Sequence, residues 1–163
     1  MKGSSHAHAY TDISIFFNPG IKVIKKVICS NEESVIDIAK RWNWQKHSLD
    51  WREVVQDPEI DLVDIAAPSV IHAQIAIAAA KAGKHVFCEK PLALNLVDAK
   101  AMVNAVEKAD VVNMIGFNYR WVPAIALAKK LINDGEIGEI YHFRGIYQQG
   151  SLIDQNFPLA RRF

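Results

Sequence analysis

Between Ile21 and Ile115 the chain alternates short, densely apolar runs with longer stretches whose apolar residues recur every three or four positions. Period two with β-branched residues predicts strands, and the helical period predicts amphipathic helices between them. Ile21–Cys29 follows the turn Asn18-Pro19-Gly20 and reads as a strand. Ser30, with Glu33 three residues on, has the form of a capping box opening a helix that runs to about Trp42. His47–Leu49 reads as a short strand, and Trp51–Val55 as one or two helical turns stopped by Asp57-Pro58.

The pattern then strengthens. Ile60–Ala67 is a buried strand ending at Pro68, and Val70–Ala82 is an alanine-rich helix closed by Gly83. His85–Cys88 is a short buried strand, and Asn95 caps a helix over about Leu96–Lys108. Val111–Ile115 is a further strand, and Pro123 opens a helix to about Asn133, broken by Gly135 and Gly138. In Glu139–Gln148, Tyr141, Phe143 and Tyr147 alternate with polar neighbours, as in a strand with one wet face. Strand–helix units of this kind specify an α/β fold, a parallel sheet with helices on both faces. The last strand suits an antiparallel sheet instead.

Composition narrows the function classes. The 163 residues carry 19 Lys+Arg against 18 Asp+Glu, and half are hydrophobic. A globular domain of about 100–200 residues is implied, and disorder is excluded. A formal charge of +1, with basic residues scattered, leaves no footprint for nucleic acid. There is no uncharged apolar run of about 18 residues, hence no membrane span, and Met1–His6 lacks a signal-peptide core. Cys29 and Cys88 each end a strand-like run and read as small buried hydrophobes in a reducing cytoplasm. His6 and His8 do not share a helix face and have no evident third ligand, so no metal site is expected.

In an open parallel sheet, ligands bind beyond the carboxyl ends of the strands. Three predicted strand ends carry polar groups there: Pro68, Ser69 and His72; Glu89, Lys90 and Pro91; and Gly116 to Arg120. A lysine beside a glutamate at such an end can polarise a substrate oxygen while the carboxylate holds its place.

The stretch Ala82-Gly83-Lys84-His85-Val86-Phe87-Cys88-Glu89-Lys90-Pro91-Leu92-Ala93 closely resembles the signature of the glucose–fructose oxidoreductase, inositol dehydrogenase and MocA family. Those enzymes are NAD(P)-dependent oxidoreductases acting mostly on sugars and polyols. The likeness extends to Pro68…His72, to Gly116-Phe117-Asn118-Tyr119-Arg120…Pro123 and to Gly135-Glu136-Ile137-Gly138-Glu139-Ile140, covering roughly residues 20–150 in order. The resemblance implies a Rossmann-type fold and NAD or NADP as cofactor. It implies that Lys90 lies near nicotinamide and substrate, that Glu89 and Pro91 shape the pocket, and that Pro68, Ser69 and His72 flank the cofactor. Arg120 is expected at the edge of the substrate cleft.

Three departures qualify that expectation. Met1–Tyr10 resembles the tail of the family's glycine-rich turn and the opening of its helix, with Gly3 in the place of the last glycine, while the first strand and early glycines are absent. Ser30 and Asn31 stand where many NAD-binding relatives carry a ribose-binding acid, so no cofactor preference follows. The second domain, with its acid–base pair, is expected to be represented only by its start. The domain division implied is 1–135, a shortened dinucleotide-binding domain, and 136–163, the start of the substrate domain.

Two functions compete: hydride transfer between NAD(P) and a sugar-like alcohol, centred on Lys90, and a non-catalytic remnant that folds, self-associates and binds nucleotide weakly or not at all. The polypeptide as written favours the second. In the family's order the missing strand lies between those at Ile21 and Ile60, which leaves two unpaired edges. They are expected to be repaired by Ile13–Phe17 or by a partner chain, giving a homodimer or larger homo-oligomer.

Overall fold

Successive side chains of a strand point to opposite faces, so one strand can serve two layers. The computed structural model, which describes residues 2–148 and Gly150, uses its central strands in this way. By compactness it divides into two units, Met1–Asn118 and Tyr119–Phe163, and the 135/136 boundary expected from the resemblance falls inside the second. Arg161 and Arg162 lie outside the described residues.

The first unit contains α1 (Lys2–Phe16), β1 (Val27–Cys29), α2 (Val35–Arg41), β2 (Lys46–Ser48), α3 (Trp51–Gln56), β3 (Leu62–Ile65), α4 (His72–Lys81), β4 (His85–Cys88), α5 (Leu96–Ala109) and β5 (Asn113–Ile115). All strand pairs are parallel, but the sheet is in two pieces, β1-β2 and β3-β4-β5. Val63, Ile65, Val86 and Cys88 turn to one face, where Ile75, Ala76, Ala79 and Ala80 of α4 and Met102 and Val106 of α5 complete the core. Asp64 and Phe87, in register between β3 and β4, turn to the other face, and His6 of α1 lies there with its ring centroid 5.6 Å from that of Phe87. Helices thus cover both faces of a Rossmann-like α/β sheet, as the pattern predicts.

The alanine-rich α4 lies close to the sheet because its contact face carries methyl groups, and Gly83, at φ +72°, ends it in the left-handed conformation that glycine tolerates best. Asn95 caps α5, its side-chain oxygen accepting from the Asp98 N–H at 2.8 Å. Most expected boundaries hold within two residues. The first strand is shorter than expected, because β2, its pairing partner, is itself three residues long. The expected capping box is absent: Ser30 Oγ accepts from the nearby Glu32 N–H at 3.2 Å, and α2 begins only at Val35. Such local side-chain turns compete with helix initiation. Ile13–Phe16, expected as one possible replacement strand, form the last turn of α1. Among the described residues nothing pairs with the free edges of β1 and β3.

In the second unit, Pro123 opens α6 (Pro123–Asn133), as its fixed φ suits a first helical position. Gly135 and Gly138, at φ +74° and +73°, turn the chain out of it. The strand expected over Glu139–Gln148 is not formed. No described segment pairs with this stretch, and Tyr141 and Phe143 are exposed, so alternation alone does not supply the partner ladder a strand requires. The Tyr119 and Tyr147 hydroxyls meet at 2.9 Å.

His72 is the largest fully buried side chain, and it ties two loops together. Its Nδ1 lies 2.9 Å from the Pro91 carbonyl and its Nε2 2.9 Å from the Ala67 carbonyl. His72→Leu fills similar space and removes the ring N–H that donates to one of these carbonyls, so urea unfolding is expected to show a loss of about 1–3 kcal/mol. Asn95→Ala, which removes a single cap, is expected to lower stability by about 1 kcal/mol in the same assay.

Candidate functional site

The register of β3, β4 and β5 brings Ile65, Cys88 and Ile115 level, so the residues after them share one rim. The ladder runs into that rim: Glu89 N–H donates to the Ile65 carbonyl at 2.9 Å and Gly116 N–H to the Cys88 carbonyl at 2.8 Å. Backbone pairing therefore fixes Glu89 and Gly116 side by side. A Cβ on Gly116 would stand 3.2 Å from Glu89 Oε1, so glycine here leaves room for the carboxylate.

The amino end of α1 reaches the same rim, where Gly3 lies so close to Ala66 that an added Cβ would touch it at 3.9 Å. A helix amino end carries unpaired N–H groups and a partial positive charge. No acidic side chain lies in the first turn of α1. One turn on, His6 crosses to the strand ends. Its Nδ1 is 2.9 Å from both oxygens of Asp64, and its Nε2 is 3.3 Å from Glu89 Oε1. Glu89 Oε2 in turn accepts from the Lys90 main-chain N–H at 3.1 Å.

Electrostatics follow from this packing. The hydrogen bond to Asp64 raises the pKa of His6; burial works against that shift, and the charges of Asp64 and Glu89 reinforce it. Tyr10, one turn further along α1, is pushed well above the usual phenol range by burial and by the Asp64 charge. Burial pushes the Cys88 and Cys29 thiols up to about 11, which keeps both protonated at neutral pH; both are free cysteines.

The residues expected from the resemblance fall into three places. Gly3, Pro68, Ser69, Glu89, Lys90 and Pro91 gather around the rim, Lys90, Pro91 and Pro68 being exposed and Ser69 half-buried at the start of a short 3₁₀ turn. His72 reaches the rim only through the Ala67 and Pro91 carbonyls, its ring being fully buried. Ser30 and Asn31 end β1, in the other sheet, with Asn31 exposed. Arg120 is exposed on the turn Asn118–Trp121 and belongs to the second unit.

Sequence reasoning missed His6 and Asp64 as site residues. Asp64 gave a signal, a carboxylate inside the apolar run Ile60–Ala67. His6 gave none, because its partners lie 58 and 83 positions away. His8 does face elsewhere, pairing with Asp12 at 3.0 Å and meeting the edge of Trp42. Among the described residues no group of three His, Cys, Asp or Glu is arranged to hold a metal ion, and no helix is long and apolar enough to cross a membrane.

The levoglucosan dehydrogenase of Pseudarthrobacter phenanthrenivorans is 47% identical over 163 residues, 99% of this chain but 42% of that enzyme. The NAD(+)-dependent scyllo-inositol 2-dehydrogenase of Bacillus subtilis is 41% identical over 123 residues, 76% of this chain and 34% of the enzyme. A levoglucosan dehydrogenase structure in complex with NADH and levoglucosan superposes with a TM-score of 0.81 at 46% identity, covering 83% of this chain and 37% of that one. The chain thus spans about two-fifths of the length of these relatives. Residues 2–117 match the family described as oxidoreductase family, NAD-binding Rossmann fold, and the chain belongs to that glucose–fructose oxidoreductase, inositol dehydrogenase and MocA family.

Proposed function

We propose that this chain is the dinucleotide-facing part of an NAD(H)-dependent oxidoreductase of sugars or polyols, and that on its own it binds NADH weakly and does not turn substrate over. The carrying observation is the convergence on one rim of the acid-free amino end of α1 with the Glu89-Lys90-Pro91 turn. The amides at Gly3 suit a diphosphate, since they combine unpaired N–H groups with the helix dipole. Ser69 and Pro68 border the same rim, and Ser30 and Asn31, at the end of β1, are the candidates for the ribose. When bound, the nicotinamide supplies the acceptor or donor of hydride.

This chain's residues then bind and orient. The Lys90 ammonium presents a positive charge to a substrate oxygen, favouring charge that develops there, and Glu89 fixes the Lys90 main chain. The carbonyls held by His72 keep the Ala67 and Pro91 loops at a constant spacing. NAD(H) is supported over NADP(H) by the relatives in complex with NADH and named for NAD(+). Two free, protonated cysteines support a reducing, cytoplasmic setting.

Weak binding is supported by the divided sheet. The amino end of α1 is steadied from the β3 side, while the edges of β1 and β3 that face each other in the fold's order have no pairing strand among the described residues. Amides that are not held in place must be ordered by the ligand, which lowers affinity. The same edges support association of two or more copies, since unpaired rows of N–H and C=O groups on apolar strands recruit further strands.

Titrating ¹⁵N-labelled chain with NADH is expected to shift the Gly3, Ser69, Glu89 and Lys90 amides with a Kd near about 1 mM, worth about 4 kcal/mol. Absence of shifts at these amides up to several millimolar would overturn the nucleotide reading, and micromolar affinity or turnover of levoglucosan would overturn the weak-binding part. Size-exclusion with light scattering at micromolar concentration is expected to give a dimer or larger species; a clean monomer would refute edge-mediated association.

A further inference from the structure

A histidine whose two ring nitrogens each face a carboxylate can satisfy both only when it carries two protons, because a neutral imidazole has one N–H. His6 is in that position, between Asp64 on β3 and Glu89 after β4. The three side chains are 17%, 16% and 14% exposed, so water screens them only partly. We propose that His6 is a positioning residue of this site: its imidazolium spans Asp64 and Glu89 and holds the Glu89–Lys90 turn, and loss of one proton releases that turn.

The geometry dictates which bond is lost. Nδ1 has two Asp64 oxygens at 2.9 Å and Nε2 has one Glu89 oxygen at 3.3 Å, so the single proton of the neutral ring stays on Nδ1. The Nε2 lone pair then faces Glu89 Oε1, and the contact turns from attraction to repulsion. Gly116, which has no Cβ, leaves room beside that oxygen. The carboxylate must rotate or withdraw, and its other oxygen holds the Lys90 N–H. Around His6 the titratable groups are Tyr10 on α1, Asp64 on β3, and Cys88, Glu89 and Lys90 at the end of β4. Burial keeps Tyr10 and Cys88 neutral well past the range in which His6 titrates.

The pH window follows from the direction of the shift. His6 is raised above its ordinary 6.5, so the bridge is complete below about that pH and fades as pH rises through the raised value. Its effect on function rests on the reading of Lys90 as the substrate-facing group, whereas the bridge itself stands on the geometry.

The test follows the ¹⁵N–¹H shift of the Lys90 amide and the ring resonances of His6 from pH 5.5 to 9 in the full chain, without nucleotide. The expected result is one shared midpoint above 6.5, with the Lys90 amide flat over that range in His6→Gln and uncoupled from His6 in Glu89→Gln. A Lys90 amide that stays still while the wild-type His6 titrates would overturn the proposal, and so would an unchanged amide titration in His6→Gln. The wild-type comparison suffices if a variant fails to fold. NADH added at both ends of the range separates the two readings: no amide shift on adding NADH, with the shared midpoint intact, removes the nucleotide reading and supports the bridge.

Discussion

Among the described residues, side chains and not backbone hydrogen bonds join the two sheets: α3 packs between β1-β2 and α4, and α1 adds polar contacts to both sides. From one helix, His6 reaches Asp64 and Glu89 at the three-stranded sheet, while Thr11 accepts from Lys25 Nζ at 2.9 Å and His8 meets Trp42 on the two-stranded side. Lys25 also donates to the Trp42 carbonyl, and Lys26 pairs with Glu59 at 2.9 Å. Val27 and Trp51 pack against the core built on β3 and β4. A parallel sheet normally transmits position from strand to strand through its ladder; among the described residues the ladder is interrupted between β1 and β3, and side-chain packing takes its place.

This has a consequence for the site. The ladder of β3-β4-β5 fixes the main chains of Glu89 and Gly116 through bonds of 2.9 and 2.8 Å, whereas the Lys90 N–H is held by the Glu89 side chain. Groups that depend on α1, the amides at Gly3 and the His6 bridge, are held by side-chain contacts whose strength varies with protonation. The rim therefore combines a stiff half and a compliant half. The relatives named above are more than twice as long as this chain.

Two histidines of this protein sit among different neighbours. His72 faces two carbonyls, which only accept, and acts as a brace between loops. His6 faces two carboxylates, which attract its charged form, and so responds to pH.

The elements around β3, β4 and β5 were legible because each is long or strongly marked: the alanines and Gly83 of α4, the Asn95 cap of α5 and Pro123 of α6 are local signals acting over one turn. The Glu89-Lys90-Pro91 turn was legible for the same reason, as a polar break after an apolar strand. Illegible were features that depend on partners far along the chain. Glu139–Gln148 alternates like a strand yet has no described segment to pair with, and Ile13–Phe16 alternate likewise yet complete a helix. His6 and Asp64 meet across 58 residues. Local sequence determines turns, caps and which face of an element is apolar, because these are decided by neighbours within a few residues. Whether an edge is paired, and which charges meet behind a strand end, is decided only when distant segments are brought together in the fold.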